Sequence, residues 1–228
     1  KGRAPYLPPM ILRSIQVGVP RAYGAEGAEE PLDRPWTSAI AKQPLAGAVW
    51  IGRLGVAGDM QADRRVHGGP DKAVLAYGHR HYAAWRELLG RPEVGPGWFG
   101  ENLTIDGADE QTVCVGDRMA IGQARFEVTQ PRQPCATLNR RFHRKDMVKL
   151  VQVHQRTGWY VRVITEGWVE AGMAATLADR PYPQWPVRVA SELMVERARR
   201  REECERLAAC PALSESWRGT LLAAAPSL

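Results

Sequence analysis

Three short stretches near the middle of the chain carry residue types that do chemistry only in combination: VHGGPDKAV (Val66 to Val74), FGENLT (Phe99 to Thr104) and QPRQPCATLN (Gln130 to Asn139). In the first, Gly68 and Gly69 remove two Cβ atoms and allow positive φ, so that successive backbone N–H groups can converge on an oxyanion. His67 before the pair and Lys72 after it add positive donors. The same His67-Gly68-Gly69-Pro70 run would also serve as a plain tight turn between strands. In the third stretch Cys135 follows two prolines, Pro131 and Pro134, which fix φ and hold the thiol in one place. Arg132 and the cluster Arg140, Arg141, Arg144, Lys145 and Lys149 lie close in sequence, and nearby cations favour thiolate over thiol. A thiolate so placed can act as a nucleophile, a redox sensor or a ligand to a soft metal. Burial as a small hydrophobe is the competing use of a free cysteine, although prolines and an arginine are unusual company for a core position.

The elements that must position these groups are mostly short strands. Ala48 to Leu54 reads as a strand, with Gly55 and Gly58 breaking the chain after it. Asp71 to Tyr77 turns apolar and extended, as a strand leaving a binding loop would. His79 to Leu89 has helical composition and a stop at Gly90 and Pro92. Arg118 to Ile121 and Ala124 to Thr129 predict a hairpin about Gly122-Gln123, glycine first as a type II′ turn requires. The strict alternation from Ala124 to Thr129 predicts a half-buried strand. Met147 to Gln155 reads as a helix, and Tyr160 to Thr165 with Val169 as a strand pair around Glu166-Gly167. Many short strands with turn signals suggest a barrel-like β architecture. Three prolines between Asp179 and Pro186 make a stiff linker. Beyond it, Ser191 to Cys210 is helical in composition, and Ser214 is placed to cap a last helix carrying Trp217 and Leu221 on one face. Seven Arg against six Glu from Val187 onward describe a solvated helical face. Gly95 to Gly100 satisfies G-x-G-x-x-G, but no strand precedes it and extended residues follow, so a dinucleotide turn is not expected. Phe99 to Leu103 suits a pocket wall, with Asn102 offering a donor and an acceptor and a self-stabilised turn as the alternative for Glu101 and Asn102.

In order and wording the three stretches resemble the MOSC domain, the module shared by molybdenum cofactor sulfurase C-termini and amidoxime-reducing enzymes. More closely they are similar to its stand-alone YiiM-like branch, whose activity is reduction of N-hydroxylated bases such as 6-hydroxyaminopurine. The similarity runs from roughly Ser38 to Leu177 and continues more weakly into a C-terminal helical appendage. It implies a mainly β fold: a MOSC-type β-barrel with peripheral helices over residues 1–180 and a short helical subdomain over 187–228. It also implies the molybdenum cofactor, molybdopterin, with Cys135 as catalytic residue and thiolate ligand to molybdenum. By the same matching His67, Lys72, Asn102 and Arg132 belong to the cofactor pocket, and the glycine pair Gly68 and Gly69, read above as an oxyanion cradle, would bind the cofactor beside them. His67, Lys72 and Arg132 would hold cofactor phosphate or stabilise negative charge, and Asn102 would fix the pterin.

Composition is that of a soluble enzyme, with 44% hydrophobic and 25% charged residues among 228. The net charge of +6 favours anionic partners. Between Arg132 and Lys149 six Arg/Lys face a single Asp146, an excess we expect to serve cofactor phosphate rather than nucleic acid. The four cysteines, Cys114, Cys135, Cys204 and Cys210, contain no C-x-x-C pair, which argues against zinc ribbons, cysteine-ligated iron–sulfur clusters and disulfides. His79 and His81 are two apart on a predicted helix and cannot share a metal. No stretch approaches the roughly 18 apolar residues of a membrane span, and Lys1 to Met10 lacks the apolar core of a signal peptide, so a cytoplasmic protein without membrane partners is expected. The expected partners are a small N-hydroxylated substrate and, because neither a flavin nor an iron–sulfur signature is present, a separate electron-donating reductase. Two other classes fit less of the sequence: a carrier passing on the cofactor or a persulfide on Cys135, and a basic RNA-binding barrel, which lacks interleaved aromatic and basic residues.

Overall fold

The computed structural model describes residues 9–63 and 67–223, so Val66, the opening residue of the first motif, lies outside the described residues with both chain ends. The described strands are β1 (Met10–Val17), β2 (Arg21–Tyr23), β3 (Trp36–Ser38), β4 (Gln43–Pro44), β5 (Val49–Gly52), β6 (Gly55–Val56), β7 (Val74–Gly78), β8 (Leu103–Asp106), β9 (Arg118–Ile121), β10 (Ala124–Pro131), β11 (Trp159–Thr165), β12 (Gly167–Val169) and β13 (Ala174–Asp179). The helices are α1 (His81–Leu89), α2 (Thr137–Arg141), α3 (Met147–Val153), α4 (Val187–Val195), α5 (Arg201–Ala208) and α6 (Glu215–Leu222), with a 3-10 turn at Pro70–Lys72.

Seven strands in the order β13-β9-β10-β11-β7-β8-β1 close into a barrel, because β1 returns to β13 through Met10↔Ala175 and Ile11↔Ala174. Closure removes the unpaired edges that a short open sheet would leave. Six of the seven contacts are antiparallel; β7 and β8 run parallel, and α1 supplies the crossover between them. Inward side chains including Leu12, Ile15, Val74, Ile105, Ile121, Phe126 and Val161 fill the interior. Among the described residues no helix is long and apolar enough to cross a membrane.

The hairpin forms as expected, with positive φ at Gly122 (53°) and none at Gln123. Two local expectations are corrected. The strand from Ala124 is not half-buried: every residue from Phe126 to Pro131 is buried, because the C-terminal helices cover its outer face. The backbone N–H of Ser214 donates to Thr129 O at 3.1 Å, and its hydroxyl donates to Gln130 Oε1 at 2.6 Å. Nor do Tyr160 to Thr165 and Val169 pair with each other. β12 pairs instead with β5, from Gly167↔Ile51 to Val169↔Val49, and β5 pairs on its other side with β6 through Ile51↔Val56 and Gly52↔Gly55, forming a small three-stranded sheet. A local turn signal cannot reveal a partner more than a hundred residues away.

Helix α1 buries His81, Tyr82 and Trp85 and ends on left-handed Gly90, whose φ is 62°. Behind the barrel mouth these side chains build an aromatic layer: Tyr77 stacks on Phe99 at 4.8 Å and receives the Trp85 indole N–H at 2.7 Å. The C-terminal helical run expected over Ser191 to Cys210 breaks between Val195 and Arg201 into α4 and α5. Leu193, Cys204, Leu207, Trp217 and Leu221 form their shared core with Val115. Ser214 caps α6 by accepting from Trp217 N at 3.2 Å. The outer faces carry Arg–Glu pairs such as Arg188–Glu192 and Arg201–Glu205, the solvated surface that the charge balance predicted.

Candidate functional site

A cavity of about 280 Å³ opens at one side of the barrel, walled by residues from Thr37–Ile40, Lys42, Asp59–Asp63, His67–Gly68, Lys72, Ala73 and Leu75, by Phe99, Gly100 and Asn102, and by Arg132, Cys135, Thr137 and Tyr160. All three motif stretches therefore meet at one place.

Cys135 sits in the connection between β10, which ends at Pro131, and α2, and its carbonyl accepts from Leu138 N at 3.0 Å. It is the one free cysteine that is only partly buried; Cys114, Cys204 and Cys210 are buried. Burial alone would push its thiol up, but the net displacement is downward, to about 6. A hydrogen bond from His67, the charge of Arg132, and the hydroxyl and backbone N–H of Thr137 overcome desolvation. At neutral pH the sulfur is thus a thiolate facing an open cavity.

Arg132 is almost fully buried, its backbone N–H tied to Gly158 O at 3.0 Å, and its Nη1 has no hydrogen-bond partner among the described residues. An orphaned guanidinium nitrogen costs free energy unless an anion meets it. Gly68 and Gly69 have φ of 89° and 86°, as the oxyanion reading requires, although only Gly68 lines the cavity; Gly69 faces an adjoining hollow. Lys72 ends the 3-10 turn and lines the cavity. Asn102 also lines it, but much of its amide is committed. Its Oδ1 accepts from Leu75 N and its Nδ2 donates to Gln16 O, both at 3.2 Å, stitching β7 to β1. That assigns Asn102 to holding the wall rather than to a fully open donor and acceptor pair. Glu101 matches the self-stabilised turn: it accepts from Gly97 N, from Phe99 N at 3.0 Å and from Tyr82 OH at 2.5 Å, while burial pushes its carboxyl up.

The basic cluster is a correction. Of its six members only Arg132 lines the cavity. Arg140 donates to Arg34 O, Arg141 lies over the Trp98 ring at 4.2 Å, Arg144 pairs with Asp146 and Lys145 with Glu30. These side chains, on α2 and in the turn before α3, are engaged outside the cavity, so their local excess of charge does not reach the site. The histidines also find structural partners: His81 meets Glu110 at 2.6 Å, His143 meets Asp33 at 2.8 Å, and His154 packs edge-on against Trp85.

The cavity wall also holds a buried ion pair that the sequence does not signal, Lys42 Nζ with both Asp59 oxygens at 2.5 Å. Burial lowers the Lys42 ammonium against the pull of Asp59, and Asp59 Oδ1 also accepts from Gly18 N at 2.8 Å. Neither residue lies in a motif, and no local signal marks two charges 17 positions apart. Tyr160 and Thr137, equally unremarked, complete the wall. Among the described residues no group of three or more His, Cys, Asp or Glu side chains gathers as a metal site.

Comparison with known proteins places this geometry. Residues 63–176 match the MOSC domain model, and residues 185–223 match the YiiM-like, 3-alpha helix domain. The chain is 38% identical over 187 residues to Protein YiiM of Escherichia coli (strain K12), covering 81% of this chain and 83% of that one. It is 37% identical over 187 residues to a protein named Reductase from Gibberella moniliformis, where the match covers 81% of this chain but 32% of the larger protein. The crystal structure of YiiM from Geobacillus stearothermophilus superposes with a TM-score of 0.78 at 33% identity, over 94% of this chain and all of that one. The chain belongs to the MOSC domain family, in the form that carries the YiiM-like three-helix domain.

Proposed function

We propose that this protein is a molybdenum-cofactor-dependent reductase of N-hydroxylated compounds, N-hydroxylated purines and related bases foremost. One observation carries the reading: a partly buried thiolate, Cys135, opens on the same cavity as a buried guanidinium nitrogen that lacks a partner. The residues present fit a pterin cofactor with an anionic tail. A thiolate is a soft ligand suited to such a metal, Arg132 offers an unsatisfied donor, and Gly68 leaves backbone amides accessible. The family assignment and the reductase-named relative support the same class.

Cys135 would hold the metal through Sγ, and Arg132, His67 and Lys72 would bind the cofactor's phosphate. When bound, the cofactor supplies two-electron chemistry that removes oxygen from nitrogen, which protein side chains cannot perform. The overall change is R–NHOH plus two electrons and two protons giving R–NH2 and water, with the electrons delivered by a separate reductase. His67, hydrogen-bonded to Sγ, keeps the sulfur ionised and orients it. Asn102 and the Lys42–Asp59 pair fix the wall by internal bonds, so the cavity is set before ligand arrives. The chain should act in the cytoplasm, where thiols stay reduced.

The test is elemental analysis of protein purified from cofactor-producing cells, followed by turnover of 6-hydroxyaminopurine with a reduced viologen dye. Near-stoichiometric molybdenum with dye oxidation is expected. Absence of both overturns the reading, and molybdenum without turnover points instead to a carrier.

A further inference from the structure

Beside the cavity lies a second, more open hollow, lined by Trp50, Gly52 to Ala57, Gly69 and Glu166. The two share Asp59, Gln61 and His67, so they form one continuous surface with Cys135 in the inner part only. The inner volume, about 280 Å³, is at the small end of the roughly 300–1,000 Å³ that ligand pockets occupy. A pterin cofactor would fill it, leaving its reaction partner to approach from the adjoining hollow.

The hollow is built in an unusual way. Trp50 and Trp168 are direct cross-strand partners on β5 and β12, pack edge to face with centroids 5.6 Å apart, and remain 37% and 49% exposed. Trp50 lines the hollow and Trp168 packs against it from the neighbouring strand, so the exposed indole offers a stacking surface at little entropic cost. Around Trp50 stand groups that can read the edge of a ring. Glu166 is fixed by accepting from Arg53 N at 2.6 Å, and the Gln61 amide, beside the space a Cβ on Gly68 would take, lines both the cavity and the hollow. Leu54, 64% exposed, extends the apolar rim.

We infer that this hollow is the substrate subsite, in which Trp50 stacks on the planar heteroaromatic ring of an N-hydroxylated base while Glu166, Arg53 and Gln61 meet its edge. The inference rests on the proposed reductase function and names the residues that select ring-bearing substrates over small ones. An aliphatic or unsubstituted hydroxylamine would gain nothing from the platform, so the hollow sets the ratio of their kcat/KM values rather than the chemical step.

The test has two arms. In dye-driven turnover by the cofactor-loaded protein, Trp50→Ala should lower kcat/KM for 6-hydroxyaminopurine relative to hydroxylamine by about tenfold, the scale of one lost stacking contact, through KM rather than kcat. Trp50→Phe should keep most of the ratio. In the second arm, adenine or 6-hydroxyaminopurine titrated into cofactor-free protein should quench tryptophan fluorescence, with the quenching weakened in Trp50→Ala. An unmoved ratio overturns the inference, as does a defect that appears only with a protein electron donor and not with the dye, which would make the indole patch a docking surface. Because the titration needs no turnover, ring binding without any reductase activity would sink the proposed function and leave the subsite standing, whereas turnover with an unmoved ratio would do the reverse.

Discussion

Cys135 and Cys114 are the same residue type in two regions that treat sulfur in opposite ways. Burial pushes both thiols up, and for Cys114 at the foot of the helical layer it prevails, reinforced by the carboxylate of Asp117, taking the thiol to about 11. For Cys135 at the cavity the partners reverse the burial effect and take it to about 6. Desolvation therefore does not decide which cysteine is chemical. The neighbours do: a histidine, an arginine and the start of α2 in one region, an acid salt-bridged to Arg180 at 2.6 Å in the other. The first region leaves an Arg132 nitrogen unpaired at an open cavity, while in the second Asp117 is enclosed by Arg180 and by the Cys114 backbone N–H.

The strongest way to break the contrast is Cys135→Ser, which should reduce dye-driven turnover at least a hundredfold and strip molybdenum from the purified protein, whereas Cys114→Ser should leave metal content as in the parent. Elemental analysis of the pair checks this. Arg132→Met should follow, weakening cofactor retention about ten- to hundredfold, the worth of a lost charge-assisted hydrogen bond, and moving the Cys135 inflection upward from about 6. The contrast also has a thermodynamic side. Folding depresses the Cys135 pKa below its ordinary value of 9.0, so the unfolded chain binds more protons between roughly pH 6 and 9, and this group's stabilisation grows across that window and is lost as pH falls through it. Chemical denaturation of the parent and of Cys135→Ala should diverge with rising pH over that range. The smallest effect is expected far from the cavity: Ser214→Ala removes the cap of α6 and the bond to Gln130, costing about 1–2 kcal/mol of stability without altering metal content.

What could be read in the chain was what local chemistry dictates. Glycine at 122 set a tight hairpin, Gly68 and Gly69 took positive φ, Ser214 capped a helix, and Pro131 and Pro134 placed Cys135 in the connection after a strand. What could not be read depended on contacts distant in sequence. The charge of Arg140 to Lys149 looked concentrated because a sequence does not show which way α2 and α3 face. The burial of β10 on both sides required knowing that Ser214, 84 positions on from Gln130, would lie across it. The Lys42–Asp59 pair arises only once the chain before β4 meets the chain after β6, and the Trp50–Trp168 platform only once β5 pairs with β12.

The proposed role of Cys135 requires its sulfur to be ionised and accessible, and the pH dependence of alkylation reports both. Cofactor-free protein treated with iodoacetamide across pH 4 to 10, with labelling mapped peptide by peptide, should show Cys135 reacting with an inflection near pH 6 while Cys114, Cys204 and Cys210 stay protected. A Cys135 profile that rises only near pH 9, or labelling no faster than at the three buried cysteines, would contradict it.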